Sequence, residues 1–254
     1  AGGGDFYTHQ IANSCRFNTA DVSHMYRTQA AGNRKTFTTS TWFKNGTATT
    51  LVASPIFYAG TQVGGTQHTG LVTNVTTVGD IRVYHYTNGF DVSVRTSSLY
   101  RDPSAWYHVV YMQDTTQAVA ANRLKIYING VQVTSLAEAS YPAEDFEGAF
   151  NNNSIVTYLG DATGSTSFDG YMAETIMIDG TALGPDSFGE TKNGVWIPKD
   201  PSGLTFGTNG YYLNYAASGD LGNDVSGNNN DFTLSNIAAH DQMGDSPTFS
   251  ATDG

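Results

Sequence analysis

Three observations predict an all-β fold, an antiparallel β-sandwich or jelly roll. Turn signals rich in Gly, Asn, Asp and Pro recur about every 8–15 residues, the interval of short strands joined by tight turns. Two Asn-Gly dipeptides, Asn88-Gly89 and Asn129-Gly130, sit between alternating apolar runs, and both residue types tolerate the positive φ that a two-residue type I′ hairpin turn requires. No window carries a convincing helical apolar period, so helix is confined to single turns.

The 254 residues are enough for one large domain to bury a core without staples. A single domain is read at 15–237, between a flexible N-terminal arm at 1–14 and a C-terminal tail at 238–254. The arm opens AGGGDFYTHQ, a glycine run expected to order when something docks on it. Cys15 to Asn18 and His24 to Thr28 are short strands. Thr36 to Lys44 is rich in β-formers and reads as a central strand, with Phe37 and Phe43 on one face and Trp42 on the other. Leu51 to Tyr58 is a further strand, which Pro55 confines to an edge or a bulge. Gly60 to Gly79 reads as a long exposed excursion with one strand around Leu71 to Val75.

A hairpin follows from Ile81 to Arg95, pairing His85 with Val92 and Val83 with Val94, so His85 reads as a satisfied core or rim histidine. The segment Trp106 to Val133 holds two strands and the second hairpin. Its turn opposes Ile128 with Val131 and Ile126 with Val133 on a core face, leaving Lys125 and Tyr127 on a wet face. Ala137 to Asn153 reads as a polar loop, Ile155 to Leu159 and Tyr171 to Ile178 as strands, and Leu183 to Gly189 as at most one helical turn with Pro185 at its start. Beyond Val195 the pattern weakens, with strands at Tyr211 to Tyr215 and Asp231 to Ile237.

The formal charge is −11, from 12 basic and 23 acidic side chains. That sign disfavours nucleic acid and anionic membranes, which both need a cationic surface. No apolar run is long enough to span a bilayer, so a soluble chain without membrane insertion is expected. Cys15 is the single cysteine and has no internal disulfide partner. The first residue is Ala, which fits a processed or trimmed chain.

The motifs TFTTSTWFK, DPSAWYHVV, NRLKIYINGVQV and FDGYMAETIMIDGTAL occur in this order between Phe37 and Leu183. Together they resemble the laminin G-like modules of the concanavalin A-like jelly-roll superfamily. A longer series, including RFNTADVSHMYRT, SFGETKNGVWIPKD, GTNGYYLNYA and NDVSGNNNDFTLSNI, is similar to laminin G-like proteins encoded by tailed bacteriophages, covering roughly Phe17 to Ile237. The resemblance implies a virion component exposed outside the particle: a tail fibre, a head fibre or a capsid decoration.

Enzymes share this fold, and retaining glucanases of the superfamily place paired glutamates on one face of a strand, about 5 Å apart. Glu138, Glu144, Glu147, Glu174 and Glu190 are the glutamates here, and none forms that pattern. No nucleophile elbow, zinc helix or phosphate loop is present, and the histidines are scattered. His108 falls at a family position and is expected to pack. Related modules often bind Ca²⁺ at the sandwich rim. Asp220, Asp224, Asn228 and Asp231, with Asn230 beside them, offer hard oxygens for it, as do Asp161 and Asp169; the same side chains equally serve as turn caps. Tyr58, Tyr84, Tyr86 and Tyr100 are candidates for outward rings that stack on sugar. Asn45, Asn74 and Asn152 open glycosylation patterns that a chain rich in Asn and Thr also produces by chance.

The expected protein is a non-enzymatic virion surface protein that binds host-surface carbohydrate, attaches to other virion proteins through its N-terminal arm and assembles as a homo-oligomer. The alternatives are a purely structural fibre or decoration subunit and, more remotely, a glycoside hydrolase.

Overall fold

A computed structural model describes residues 6–46, 53–60, 67–162 and 166–248. The strands in chain order are β1 (Ser14–Phe17), β2 (His24–Thr28), β3 (Thr36–Asn45), β4 (Ser54–Gly60), β5 (His68–Thr73), β6 (Ile81–Tyr86), β7 (Phe90–Thr96), β8 (Tyr107–Asp114) and β9 (Leu124–Ile128). They continue with β10 (Val131–Gln132), β11 (Leu136–Ser140), β12 (Val156–Leu159), β13 (Gly170–Asp179), β14 (Gly189–Lys192), β15 (Val195–Pro198), β16 (Tyr211–Leu213), β17 (Thr233–Ser235) and β18 (Gln242–Met243).

The first sheet runs β10-β9-β8-β3-β13-β1-β18, with β16 joining β13, and the second runs β11-β7-β6-β5-β4-β12-β2-β17. All pairings are antiparallel, so the fold is the two-sheet sandwich predicted from the sequence. Helix among the described residues is limited to 3-10 turns, one of them opened by Pro185.

Period-two alternation builds the core. Phe37 and Phe43 of β3, Tyr111 of β8, Ile126 of β9 and Met177 of β13 meet Phe57, Leu71, Val83, Val94 and Leu159 from the facing sheet. Trp42 points away from that core into a smaller cluster with Ile11 and Ala173. The Asn129-Gly130 turn has φ of 48° and 79° and sets Val131 opposite Ile128. His85 opposes Val92, and Val83 opposes Val94, although a bulge near Tyr86 shifts the tip of that hairpin.

Several elements differ from the sequence reading. β4 is central, flanked by β5 and β12, and of the two places expected for Pro55, an edge or a bulge, it takes the bulge. β5 begins earlier than expected and is almost wholly buried, so 67–79 is sheet and turn rather than an exposed excursion; Leu51, Val52 and 61–66 lie outside the described residues. The expected polar loop after β10 contains β11, an edge strand carrying Glu138. Tyr127 does not face water but packs on a second cluster with Val110, Ile176 and Tyr212, because the outer face of the first sheet is covered too. A third Asn-Gly turn, at Asn193-Gly194 with φ of 52° and 82°, joins β14 to β15 in a hairpin the sequence reading missed.

The described residues near both ends of the chain pack on this outer face. Residues 238–248, set apart from the domain in the sequence reading, supply β18, which pairs with β1. Ile11 is buried, its N–H donates to Thr248 Oγ1 at 2.8 Å, and Thr8 Oγ1 donates to Glu190 at 2.8 Å. The remainder of the arm and tail, 1–5 and 249–254, lies outside the described residues.

Candidate functional site

The outer face of the second sheet carries an aromatic row. In each strand the core-facing positions are apolar, so the alternate positions face outward: Tyr26 beside Met25, Tyr158 beside Leu159, Tyr58 beside Ala59, and Tyr84 and Tyr86 around His85. Register then aligns them. Tyr26 opposes Tyr158, Tyr158 opposes Tyr58, Tyr58 opposes Gly70, and Gly70 opposes Tyr84. A second line runs beside the first, with His68 opposite Tyr86 and Tyr86 opposite Phe90.

The rings touch one another along the whole row. Centroids lie 6.1 Å apart for Tyr26–Tyr158 and Tyr58–Tyr158, 5.6 Å for the stacked Tyr58–His68 pair and 5.0 Å for the stacked His68–Tyr86 pair. Phe90 meets both Tyr84 and Tyr86 edge-on at 5.7 and 5.4 Å. Gly70 leaves room for this packing: a Cβ at this position would stand 2.8 Å from the Tyr84 ring, which lies over the glycine. The middle of the row is closed, with Tyr58 5% and Tyr158 9% exposed, while its ends are open, with Phe90 54% and Tyr26 37% exposed.

A charged cluster flanks the row on the β7 side. The Arg82 guanidinium lies 3.9 Å from the Phe90 ring centroid, pairs with Glu138 at 3.3 Å and donates to Ser93 Oγ at 2.8 Å. Arg95 bridges Glu138 at 2.9 Å and the buried Asp80 at 3.2 Å. The Ser93 hydroxyl holds the Glu138 carboxyl below the usual carboxylate range, aided by Arg95 and Arg82 against partial desolvation. Desolvation keeps His68 below its ordinary value, hence neutral at pH 7, and pushes the Tyr84 phenol up to about 12.

Of the residues singled out from the sequence, Tyr58, Tyr84 and Tyr86 fall on this row. Tyr100 does not: it packs edge-on against Tyr107 beside a rim groove of about 380 Å³ lined in part by Ile128 and Val131. The sequence reading missed Tyr26, His68, Phe90 and Tyr158, and also His24, whose ring lies 5.9 Å from Tyr26 and 6.1 Å from Tyr158. Their outward phase was legible within each strand, but the pairing of β12 between β2 and β4 joins segments far apart in the chain and leaves no local signal.

The proposed calcium ligands gather in part. Asp224 accepts from the N–H groups of Tyr212, Ser226 and Asn230 and from Ser226 Oγ, at 2.8 to 2.9 Å, while Asp231 accepts from the Asp224 N–H at 2.8 Å. Asn228 donates to the carbonyls of Gly207 and Gly210, and Asp220 accepts from the Gly222 N–H in its own turn. The carboxylates are thus engaged as loop caps, and among the described residues no three His, Cys, Asp or Glu side chains form a metal cluster. Asp161 and Asp169 flank a loop whose centre, 163–165, lies outside the described residues.

His108 is buried between the Trp42 and Trp196 rings at 4.8 and 6.0 Å. The Trp196 N–H donates to its Nδ1 at 3.0 Å, so Nε2 carries the proton and donates to Ser40 Oγ at 2.8 Å. His85 is likewise satisfied, by Thr69 and Thr87. Two of the glycosylation asparagines are committed: Asn45 donates to the Tyr100 carbonyl and Asn74 accepts from the Gly79 N–H, both at 2.8 Å. Glu174, in left-handed backbone at a bulge of β13, accepts from Tyr212 Oη at 2.7 Å and meets His9 at 2.5 Å on the opposite sheet from the aromatic row.

Residues 19–187 match a laminin G family described as the concanavalin A-like lectin/glucanases superfamily. No match was found among curated proteins. Among solved structures, domain 4 of AbnA, a GH43 extracellular arabinanase from Geobacillus stearothermophilus in complex with arabinotriose, is similar with 20% identity and a TM-score of 0.52, over 73% of this chain and 79% of that one. The native heptameric SAP-like pentraxin from Limulus polyphemus has 15% identity and a TM-score of 0.46, over 69% and 80%. Tailspike protein 2 of the Escherichia coli bacteriophage CAB120 has 13% identity and a TM-score of 0.44, over 68% of this chain but 23% of that one.

Proposed function

The chain belongs to the concanavalin A-like lectin/glucanases superfamily, and from that premise we propose that it is a non-enzymatic carbohydrate-binding protein whose ligand lies on the aromatic face of the second sheet. The observation that carries this reading is the row from Tyr26 to Phe90, open at both ends and flanked by the half-buried Glu138 carboxylate. Ring faces of this kind take the apolar faces of sugars, and the polar rim orients them. The arabinanase domain, which has this fold, is described in complex with arabinotriose, so a sugar ligand on such a framework fits the reading.

Catalysis has little support on this face. Of the five glutamates only Glu138 stands there, and it is held in ion pairs with two arginines rather than beside a second acid. The resemblance of the sequence to laminin G-like phage proteins supplies the setting: a virion surface protein, attached through its N-terminal arm to other virion proteins and present in many copies as a homo-oligomer, so that weak sites gain avidity. A second reading, a fibre or decoration subunit that binds no sugar, is favoured by the closed centre of the row, where tyrosines cover one another as a sheet lining would.

A glycan array on the purified protein, run with Ca²⁺ and again with a chelator, beside its mass in solution, tests these readings. Binding that Tyr84→Ala and Tyr86→Ala abolish supports the lectin reading. Binding lost in chelator brings the loop of Asp220, Asp224, Asn228 and Asp231 into it. A folded oligomer with no glycan bound favours the structural reading.

A further inference from the structure

We infer that the ligand is a neutral, linear glycan laid across the strands so that one chain touches both open ends of the aromatic row, an inference that rests on the carbohydrate-binding reading above. Geometry sets the length. From β2 to β7 the row crosses five interstrand spacings, about 24 Å at roughly 4.8 Å each. The rings with the most open surface stand at its two ends, Tyr26 and Phe90, whereas Tyr58 and Tyr158 between them form a closed floor. A single sugar or disaccharide covers one end, and only an extended chain reaches the other. Direction follows from register, since the outward rings line up perpendicular to the strands rather than along any one of them.

Charge sets the ligand class. Every basic side chain described on this face except His68 already has an acidic or carbonyl partner. Arg82 pairs with Glu138, Arg95 pairs with both Glu138 and Asp80, and His24 Nδ1 lies 2.8 Å from the Val22 carbonyl and 3.8 Å from Asp161. His68 is stacked between Tyr58 and Tyr86 without a carboxylate partner. A uronate or sialate would meet no free cation here and would approach a chain of net charge −11. Neutral pyranose rings need only the ring faces and the hydroxyl and carboxylate oxygens at the rim.

Calorimetric titration with cellohexaose, xylohexaose and mannohexaose, their disaccharides and hexagalacturonate tests this, on the wild type and on Phe90→Ala and Tyr26→Ala. Both substitutions fall at exposed positions, and thermal melts check that the variants fold. At least one neutral hexasaccharide is expected to bind more tightly than its disaccharide, hexagalacturonate not at all, and each variant to weaken the hexasaccharide by about three- to tenfold. The disaccharide should respond to one variant and not the other. Preferential binding of hexagalacturonate, equal affinity for short and long chains, or a hexasaccharide indifferent to either end overturns the inference while leaving the aromatic face as the binding site. If no sugar here or on the array binds, the underlying reading falls with it.

Discussion

His108 shows how a single buried residue ties elements together and makes the fold sensitive to acid. Its bare Nδ1 accepts the Trp196 N–H, and desolvation pushes its pKa down to about 3, while burial likewise pushes His85 down to about 4. Both pKa values are lowered on folding, so the unfolded chain binds more protons between the two values. Stability is therefore full above about pH 6.5 and is lost as pH falls through the interval towards 3 to 4. Urea midpoints measured between pH 7 and pH 4 should fall, and His108→Gln should flatten part of that slope; an unchanged slope in the variant rules out this residue as its source. Asp224 is the second residue of this kind. Asp224→Ala leaves the N–H groups of Tyr212, Ser226 and Asn230 without their carboxylate acceptor, and is expected to cost about 2–4 kcal/mol in denaturant unfolding. If Ca²⁺ occupies this loop, the wild type but not the variant gains in Tm when Ca²⁺ is added.

Among the elements, the three Asn-Gly hairpins separate what the sequence makes legible from what it does not. The turns at Asn88 and Asn129 stood between alternating apolar runs and were read with their pairings; the turn at Asn193 has the same dipeptide but flanks Lys192 and Val195, too mixed to read as strands. That hairpin forms because it docks: Gly130 of the second hairpin lies beneath the Trp196 ring, where a Cβ would stand 2.4 Å from ring carbon. Gly130→Ala therefore strains a φ of 79° and expels Trp196 together, and should destabilise by roughly 2–4 kcal/mol, with proteolysis appearing first at β14–β15. A variant cleaved no faster there than wild type would show that the hairpin holds without this contact. The same limit explains the candidate site. Alternation placed Tyr84 and Tyr86 outward, because both belong to a local hairpin. The alignment of Tyr26 with Tyr158 and Tyr58 has no local signal, because β12 reaches its neighbours only through long-range pairing, and Pro55 points to an edge or a bulge where only the full sheet decides.

Across the whole molecule, the outer faces of the two sheets have different fates. The face of the second sheet keeps its aromatic row partly open, whereas that of the first is covered by the β14–β15 hairpin and by the segments around Ile11 and Asp245. Lys44 and the Trp106 N–H both reach Asp245, and Ser14 Oγ donates to the Asp245 carbonyl at 2.6 Å. His9 closes the N-terminal side of this clasp on Glu174, whose hydrogen bond raises the His9 pKa against its desolvation, with Asp200 adding a smaller attraction and Tyr212 bonded to the same carboxylate. A His value raised on folding contributes stability that is complete below about pH 6.5 and is lost as pH rises through the raised value. The clasp should thus loosen in mild alkali while the sandwich, held by its core, stays folded. Hydrogen exchange at pH 6 and pH 9, corrected for intrinsic rates, is expected to show protection lost around Ile11 and Thr248 at the higher pH, with β3 and β13 unchanged. His9→Gln should remove the pH dependence, since its amide still donates to Glu174 but does not titrate. Equal protection at both pH values would mean that the ends are held by Ile11 packing and the Thr248 hydrogen bonds alone. The two ends of the chain would then report nothing of the proton, and the pH response of the molecule would reside in His85 and His108.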